Sequence, residues 1–398
     1  MSEQHAINGG LPRLTLRTPR RAVTAMFLLN GALFGIWASR VPAISQSLGL
    51  SESLLGILLL SMCAGAVSSF PVAGRVCDRY GSAQVTKSIA FTYGLTLVML
   101  ALAPNAILLA LALYLFGAAH GAMDVSMNAW AAEVQKKKGK PIMSSFHAMW
   151  SLGSGLGAAS GFLAIKLQAT PTVHFLVAGA LILALTLPFA FIPWESPRHK
   201  KKEGEKSHIF ILPKGVMILV GLLGLCAGIG EGAMGDWSAI FLVQVALVDE
   251  SHAALGFACF SVTMVAARLA GDMIIAKLGA VKTAKLSGLV VTMGSLLAIT
   301  AATFPAILIG FAMMGLGYAS LVPLIFSRAA MDDQMSPGTA IASVATFGYG
   351  GGLIGPVVIG FLADLFSIRW AFVLLSCLAV MIVILAPNLA PPRKASAD

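Results

Sequence analysis

The chain has 398 residues, of which 58% are apolar and only 11% charged, with a formal net charge of +10. A soluble globular domain is nearer a quarter charged, and one water-surrounded core of ordinary kind cannot use so much apolar sequence. The composition therefore argues against a soluble enzyme and makes the bilayer the expected solvent.

A hydrocarbon core about 30 Å thick asks for roughly 20 apolar residues per span. Residues 1–21 read as a cytoplasmic N-terminal segment carrying Arg13, Arg17, Arg20 and Arg21. The Arg20–Arg21 pair before an apolar run resembles an export signal. The run is too long for a signal core, however, and it is expected to be the first span. Six spans follow at 22–39, 54–73, 88–103, 107–123, 148–165 and 173–193, none with an Asp, Glu, Lys or Arg. They are expected to form one bundle over 22–194. Residues 195–214 hold the long hydrophilic stretch and read as a cytoplasmic linker. Spans at 216–237, 253–276, 286–303, 306–326, 340–363 and 370–387 form a second bundle over 215–388, and 389–398 is a tail. The expected fold class is an all-α membrane protein with about twelve transmembrane helices.

Two patterns organise these spans. Lys and Arg gather at the termini and in every second loop, while the alternate loops hold few beyond Arg40, Lys166 and Arg369. The positive-inside rule then places both termini in the cytoplasm, so the basic excess is topology and no nucleic-acid partner is expected. The chain also repeats itself. Gly81 and its neighbours match Gly279 at an offset of 198, and Gly161–Ala164 matches Gly360–Ala363 at 199. Each offset is near half the chain, so a six-helix unit is duplicated, giving two pseudo-symmetric bundles. Cys63, Cys77, Cys226, Cys259 and Cys377 lie in or beside spans without metal spacing, which reads as inert buried thiols. No metal or cofactor is expected.

Ionisable groups at bilayer depth are costly and usually face a cavity or a partner. In the fourth span His120, Asp124 and Asn128 recur every four residues, on one helical face. One reading is a proton-carrying carboxyl with an imidazole nearby; the other is a hydrogen bond from Asp124 to a neighbouring helix. In the seventh span Glu231 is the second candidate for protonation or for binding a hydroxyl or amine, on a glycine-rich helix able to bend. Trp37, Trp150, Trp237, Tyr318 and Tyr349 are candidates to stack on a ring-shaped solute, against the plain alternative of packing or interface anchoring. Arg40 is placed to pair with Asp236 or to contact substrate, and Asn30 is a polar candidate for substrate contact in the first span. His147 and His174 read as markers of span ends. Gly153, Gly155 and Gly157 suggest a phosphate loop, but without a strand before them. Close helix packing is the expected role.

The loop after the second span reads Gly74-Arg-Val-Cys-Asp78-Arg79-Tyr-Gly81. Here the chain resembles the major facilitator superfamily, whose loop signature is Gly-x-x-x-Asp-Arg-x-Gly followed by basic residues, although Ser82 and Ala83 replace the basic pair. The resemblance implies gating. Asp78 is expected to cap the start of the span near Ala340, where the helix dipole favours an anion, and Arg79 to pair with Glu133. The equivalent segment of the second half, Arg268 to Asp272 and on to Gly279, looks degenerate. The segments Trp37–Pro42, His120–Asn128, Glu231–Trp237 and Thr346–Tyr349, with Gly355-Pro356, resemble the fucose-permease-like branch, and within it the group around the rhizopine-locus membrane protein. That branch implies a fourth-span acid for protons, a small-molecule substrate and a monomer in the lipid bilayer. The expected function is proton-coupled symport of a sugar, polyol or amino-polyol, with proton-antiport efflux as the alternative. A membrane enzyme would need a cluster of catalytic groups at one face that the sequence does not offer.

Overall fold

A computed structural model describes residues 17–198 and 213–392 apart from 249, 254 and 302. The expected basic run 200–206, most of segment 1–21 and the tail beyond 392 lie outside the described residues. Among those described the structure is helical without strands, and twelve helices or helix pairs are long and apolar enough to cross a membrane.

The first bundle runs α1 (Pro19–Ala38) with short α2 (Val41–Ser47), α3 (Glu52–Tyr80), α4 (Ser82–Leu102), α5 (Ala106–Lys138), α6 (Met143–Lys166) and α7 (Pro171–Ala190). The second runs α8 (Val216–Ala246) with short α9 (Glu250–Ala253), α10 (Leu255–Leu278), α11 (Ala280–Thr300), α12 (Phe304–Tyr318) continued by α13 (Leu321–Ala329), α14 (Pro337–Leu365) and α15 (Ile368–Leu385). The helices start where the sequence supplies caps. Thr18, Ser51, Asn105, Thr170 and Ser367 each accept a bond from a backbone N–H of the first turn, satisfying donors the helix leaves open. Pro19, Pro171 and Pro337 occupy first positions, where a missing N–H costs nothing.

Several helices are longer than the apolar runs. The fourth span, expected over 107–123, continues as α5 to Lys138. The polar residues that end its apolar run, Asp124 and Asn128, are buried inside the protein. Apolarity measures lipid contact, whereas this part of the helix faces protein. The outer surface shows the converse. Ile107, Phe162 and Val357 are among many large apolar side chains left exposed, at 82%, 72% and 70%, a surface suited to lipid.

Each half has its own apolar core, and the core of the second half also takes in Ala66, Phe70 and Ala73 of α3 and Val125 and Ala129 of α5. Within the first half α1 and α6 cross with their backbones in contact. A Cβ on Gly31 or Gly35 would overlap the carbonyls of Trp150 or Ser154, and one on Gly153 or Gly157 those of Leu28 or Ala32. Gly155 faces open space, so two of the three glycines in that motif do the packing. The second half repeats the arrangement between α8 and α14, where Gly228 meets Gly348 and Gly351 meets Leu225. Gly81 and Gly279, matched in the sequence repeat, make the same reversal between adjacent helices, with φ of 92° and 78°. A side chain there would strain the backbone.

Candidate functional site

The two halves meet along α3 and α5 against α14, and along α6 against α10 and α13. The hydrogen bonds between halves through Asp78, Asp272, Ser144 and Gln135 lie toward the end that carries the basic loops, and those through Asp124 and Arg268 lie nearer mid-depth. At that basic end Asp78, near the close of α3, accepts bonds from Ser336 Oγ and from Thr339 Oγ1 (2.7 Å) at the start of α14. Gly74 and Gly338 face each other backbone to backbone beside it. Asp272 of α10 makes the equivalent cap on α6, accepting from the backbone N–H of Ser144 (2.9 Å) and of Ser145 (3.2 Å). Ser144 Oγ donates to the Arg268 carbonyl at 2.8 Å, and Gln135 of α5 donates to Ser327 Oγ at 3.1 Å.

The segment around Asp272, which looks degenerate in sequence, thus caps a helix of the opposite half as Asp78 does. Its geometry needs only one carboxylate one turn beyond Arg268, and that pair is present without the rest of the motif. Arg79 does not pair with Glu133. It points outward at the helix end, 5.2 Å over the Tyr80 ring. Glu133 instead accepts from Ser82 Oγ, from Trp194 Nε1 (2.8 Å) and from Ser196 Oγ (2.8 Å). It therefore fastens the first residues past α7 to α5.

At mid-depth two acids, Asp124 buried and Glu231 half-buried, face the junction from opposite halves. Asp124 of α5 is 8% exposed. Its Oδ2 accepts from Tyr349 O–H of α14 (3.3 Å) and its Oδ1 from Asn128 Nδ2 (3.0 Å). Asn128 Oδ1 lies 3.2 Å from His147 Nε2 on α6. Across the junction Arg268 of α10 pairs with Glu231 of α8, Nη2 to Oε2 at 3.4 Å. Arg268 Nη1 donates to Ser151 Oγ of α6 (2.8 Å), and Ser151 Oγ donates to the His147 carbonyl (3.2 Å). One polar chain, Tyr349–Asp124–Asn128–His147–Ser151–Arg268–Glu231, therefore joins both acids and passes through α6. Its far end is incompletely satisfied, because Glu231 Oε1 is sealed from solvent without a donor.

His120, expected beside Asp124, turns to Tyr93, whose hydroxyl lies 2.8 Å from Nδ1. Its ring packs near Phe34 (5.4 Å) and Tyr349 (6.5 Å). Trp150, half-buried, lies 6.1 Å from Phe34, so His120, Trp150 and Tyr349 form one aromatic wall of the junction. Other predicted residues lie elsewhere. Trp37 is 2% exposed and packs against Phe116 and Phe175 within the first half. Asn30 is enclosed there as well, donating to Met127 Sδ at 3.5 Å. Tyr318 is fully buried against Gly230 in the second half, and Trp237 packs against Gly360. Arg40 does not meet Asp236: it is buried and donates to the Ala169 carbonyl (2.7 Å), while Asp236 is exposed on α8. Sequence reasoning read His147 only as a span-end marker and passed over Ser151 and Tyr93. The spacing of His147 and Ser151, one turn apart on the helix that also carries the packing glycines Gly153 and Gly157, is the signal that relates them.

The family model described as Major Facilitator Superfamily matches residues 22–330 and 220–398. The chain belongs to the major facilitator superfamily. This major facilitator protein is 45% identical over 374 residues to an uncharacterized transporter, y4wD, of Sinorhizobium fredii, covering 94% of this chain and 99% of that one. It is 31% identical to the membrane protein MosC of Rhizobium meliloti, over 91% of this chain and 88% of that protein. Among solved structures it superposes on the major facilitator transporter FucP in its outward conformation, with a TM-score of 0.77, 16% identity and coverage of 94% and 99%. A further FucP structure, described as the Escherichia coli fucose:proton symporter, matches at 0.77 and 15% identity. The fold class and the family expected from the loop motif and the repeat are those found. The chain is a secondary transporter of a small molecule across a membrane.

Proposed function

We propose that the protein is a proton-coupled symporter of a small polar solute, a sugar, polyol or amino-polyol, in the bacterial inner membrane. Asp124 carries the reading: an acid buried at the junction of the halves, bonded by a tyrosine of the opposite half, is placed so that its charge bears on how the halves meet. A carboxyl at that depth is costly unless it has a use. Glu231, paired with Arg268, is the second acid of the same junction. His120, Trp150 and Tyr349 line the solute's path between them, with Asn128 enclosed behind Asp124.

With both termini in the cytoplasm, the basic end is the cytoplasmic end. Asp78 and Asp272 then serve as two cytoplasmic latches, each a carboxylate at a helix N-terminus where the dipole favours it. The state described is closed to the cytoplasm, in keeping with its likeness to FucP in the outward conformation. The two bundles 22–194 and 215–388 rock about the junction as a monomer.

The test is reconstitution. Purified protein in proteoliposomes is offered sugars, polyols and amino-polyols while lumenal pH is followed. Acidification by one compound identifies symport and its substrate together, and alkalinisation points to antiport efflux. For that compound Asp124→Asn is expected to abolish uphill accumulation and to spare exchange. Undiminished uphill uptake by Asp124→Asn removes the proton role from this residue.

A further inference from the structure

We infer that His147, outside the predicted site, is a positioning residue of the proton site: as an Nε2–H imidazole it holds the Asn128 amide against Asp124. The inference rests on the proton-carrying reading of Asp124 and adds the residue that sets how that carboxyl is held.

The hydrogen-bond pattern fixes the roles. Asn128 Nδ2 lies 2.8 Å from the Asp124 carbonyl and 3.0 Å from Asp124 Oδ1. Both are oxygens, and the amide nitrogen has two hydrogens to give them. The opposite flip would set the amide oxygen against two acceptors. The amide oxygen therefore faces His147 Nε2 at 3.2 Å, and an oxygen there requires a donor. That assigns the proton of the neutral ring to Nε2, the tautomer being set by its partner.

Every element around the ring agrees with a neutral donor. From α5 it faces Asn128, with Asp124 behind. From α1 and α13 it meets the rings of Phe27 (5.2 Å) and Phe326 (6.0 Å). From α10 comes the Arg268 guanidinium, held on Ser151 one turn along α6. Among the described residues no carboxylate is bonded to the imidazole, and the near charge is positive. Packed between two phenylalanines with 7% exposure, the ring has little freedom, so Asn128 is clamped from both sides. A clamped amide presents a fixed N–H to Asp124 Oδ1, and a donor to a carboxylate alters the balance between its ionised and protonated forms. The clamp sits on α6, one turn from the Ser144 and Ser145 amides that hold the Asp272 latch. A change at Asp124 is thus felt on the helix that closes the basic end.

The experiment is pH-difference infrared spectroscopy of the reconstituted protein without substrate, following the protonated-carboxyl band. In the wild type a band absent from Asp124→Asn reports Asp124 directly. His147→Leu, which removes the donor, is expected to displace the midpoint of that band by at least about half a pH unit, about threefold in proton affinity. His147→Gln, which keeps an amide N–H donor, is expected to stay close to the wild type. Should no band depend on Asp124, the proton-carrying reading falls and this inference with it. If the band is present and His147→Leu overlays the wild type, the reading stands and the inference is overturned. Equal displacement by His147→Gln also overturns it, since the donor would not be what matters. Should His147→Leu not fold, nitrogen-15 histidine spectra of the wild type still decide: a proton on Nε2 is expected, and a proton on Nδ1 refutes the assignment.

Discussion

Arg268 and Asp272 stand one turn apart on α10, and both bond α6: Arg268 through Ser151 Oγ at 2.8 Å, Asp272 through the N–H groups of Ser144 and Ser145. The groups that hold Glu231 and the groups that close the basic end therefore share one rigid helix. Anything that moves the guanidinium along its axis pulls on the cap below.

That relationship makes the two latches separable by mutation. A hydrogen bond to a charged group contributes about 1.5–3 kcal/mol, and 1.4 kcal/mol is about tenfold in a two-state equilibrium. Asp272→Ala is expected to raise the population open at the basic end by about tenfold, and Asp78→Ala to do the same from the α14 side. Accessibility of a cysteine placed under the latch to a membrane-impermeant thiol reagent, in inverted vesicles, measures it. Equal accessibility in wild type and both variants would contradict the latch role.

Glu231→Gln leaves the buried Arg268 guanidinium without a counter-charge, its neutral partners being the amide oxygen, Ser151 and the Ala319 carbonyl. Breaking a buried pair on one side costs about 3 kcal/mol or more, somewhat less here because the Glu231 side chain is 26% exposed. A loss of about 5 °C in the melting temperature in detergent is expected. Replacing both residues by leucine is expected to recover most of it. A double variant no more stable than Glu231→Gln would count against this account.

The α1–α6 crossing predicts unequal glycines. Gly153→Val and Gly157→Val place side-chain carbons on the backbone of α1 and are expected to abolish monodisperse protein in fluorescence size-exclusion chromatography. Gly155→Ala, facing open space, is expected to match the wild type. Overpacking that cannot be relieved by side-chain movement is the physical difference.

The fold was legible because its signals are large and repeated. Twelve apolar runs, alternating basic loops and a repeat near half the chain length all follow from the bilayer acting on a duplicated unit. Helix ends were less so: α5 runs 15 residues past the expected limit because Asp124 and Asn128 are shielded by protein, which a hydropathy window cannot see. Within the site, the four-residue stripe brought Asp124 and Asn128 to one face, as seen. Their partners were not legible, since Tyr349 and His147 reach them across helix junctions that no local spacing encodes. The same holds for Arg79, whose expected acid is already occupied by Trp194 and Ser196 from the far end of α7. Arg40 and Asp236 sit at the same depth in sequence terms, yet each answers to its own half.

The cross-half bonds at the basic end also bear on how fast such a carrier can turn over. On the gating proposed above, both latches come apart in the same stroke, and their combined strength adds to the activation barrier of that step. Solute binding at the junction can lower the barrier only as far as it favours the parted arrangement over the closed one. Stronger caps make a slower and less leaky carrier, and weaker caps a quicker one that slips without cargo. On that proposal the two carboxylates, away from the mid-depth acids, set the exchange between speed and fidelity.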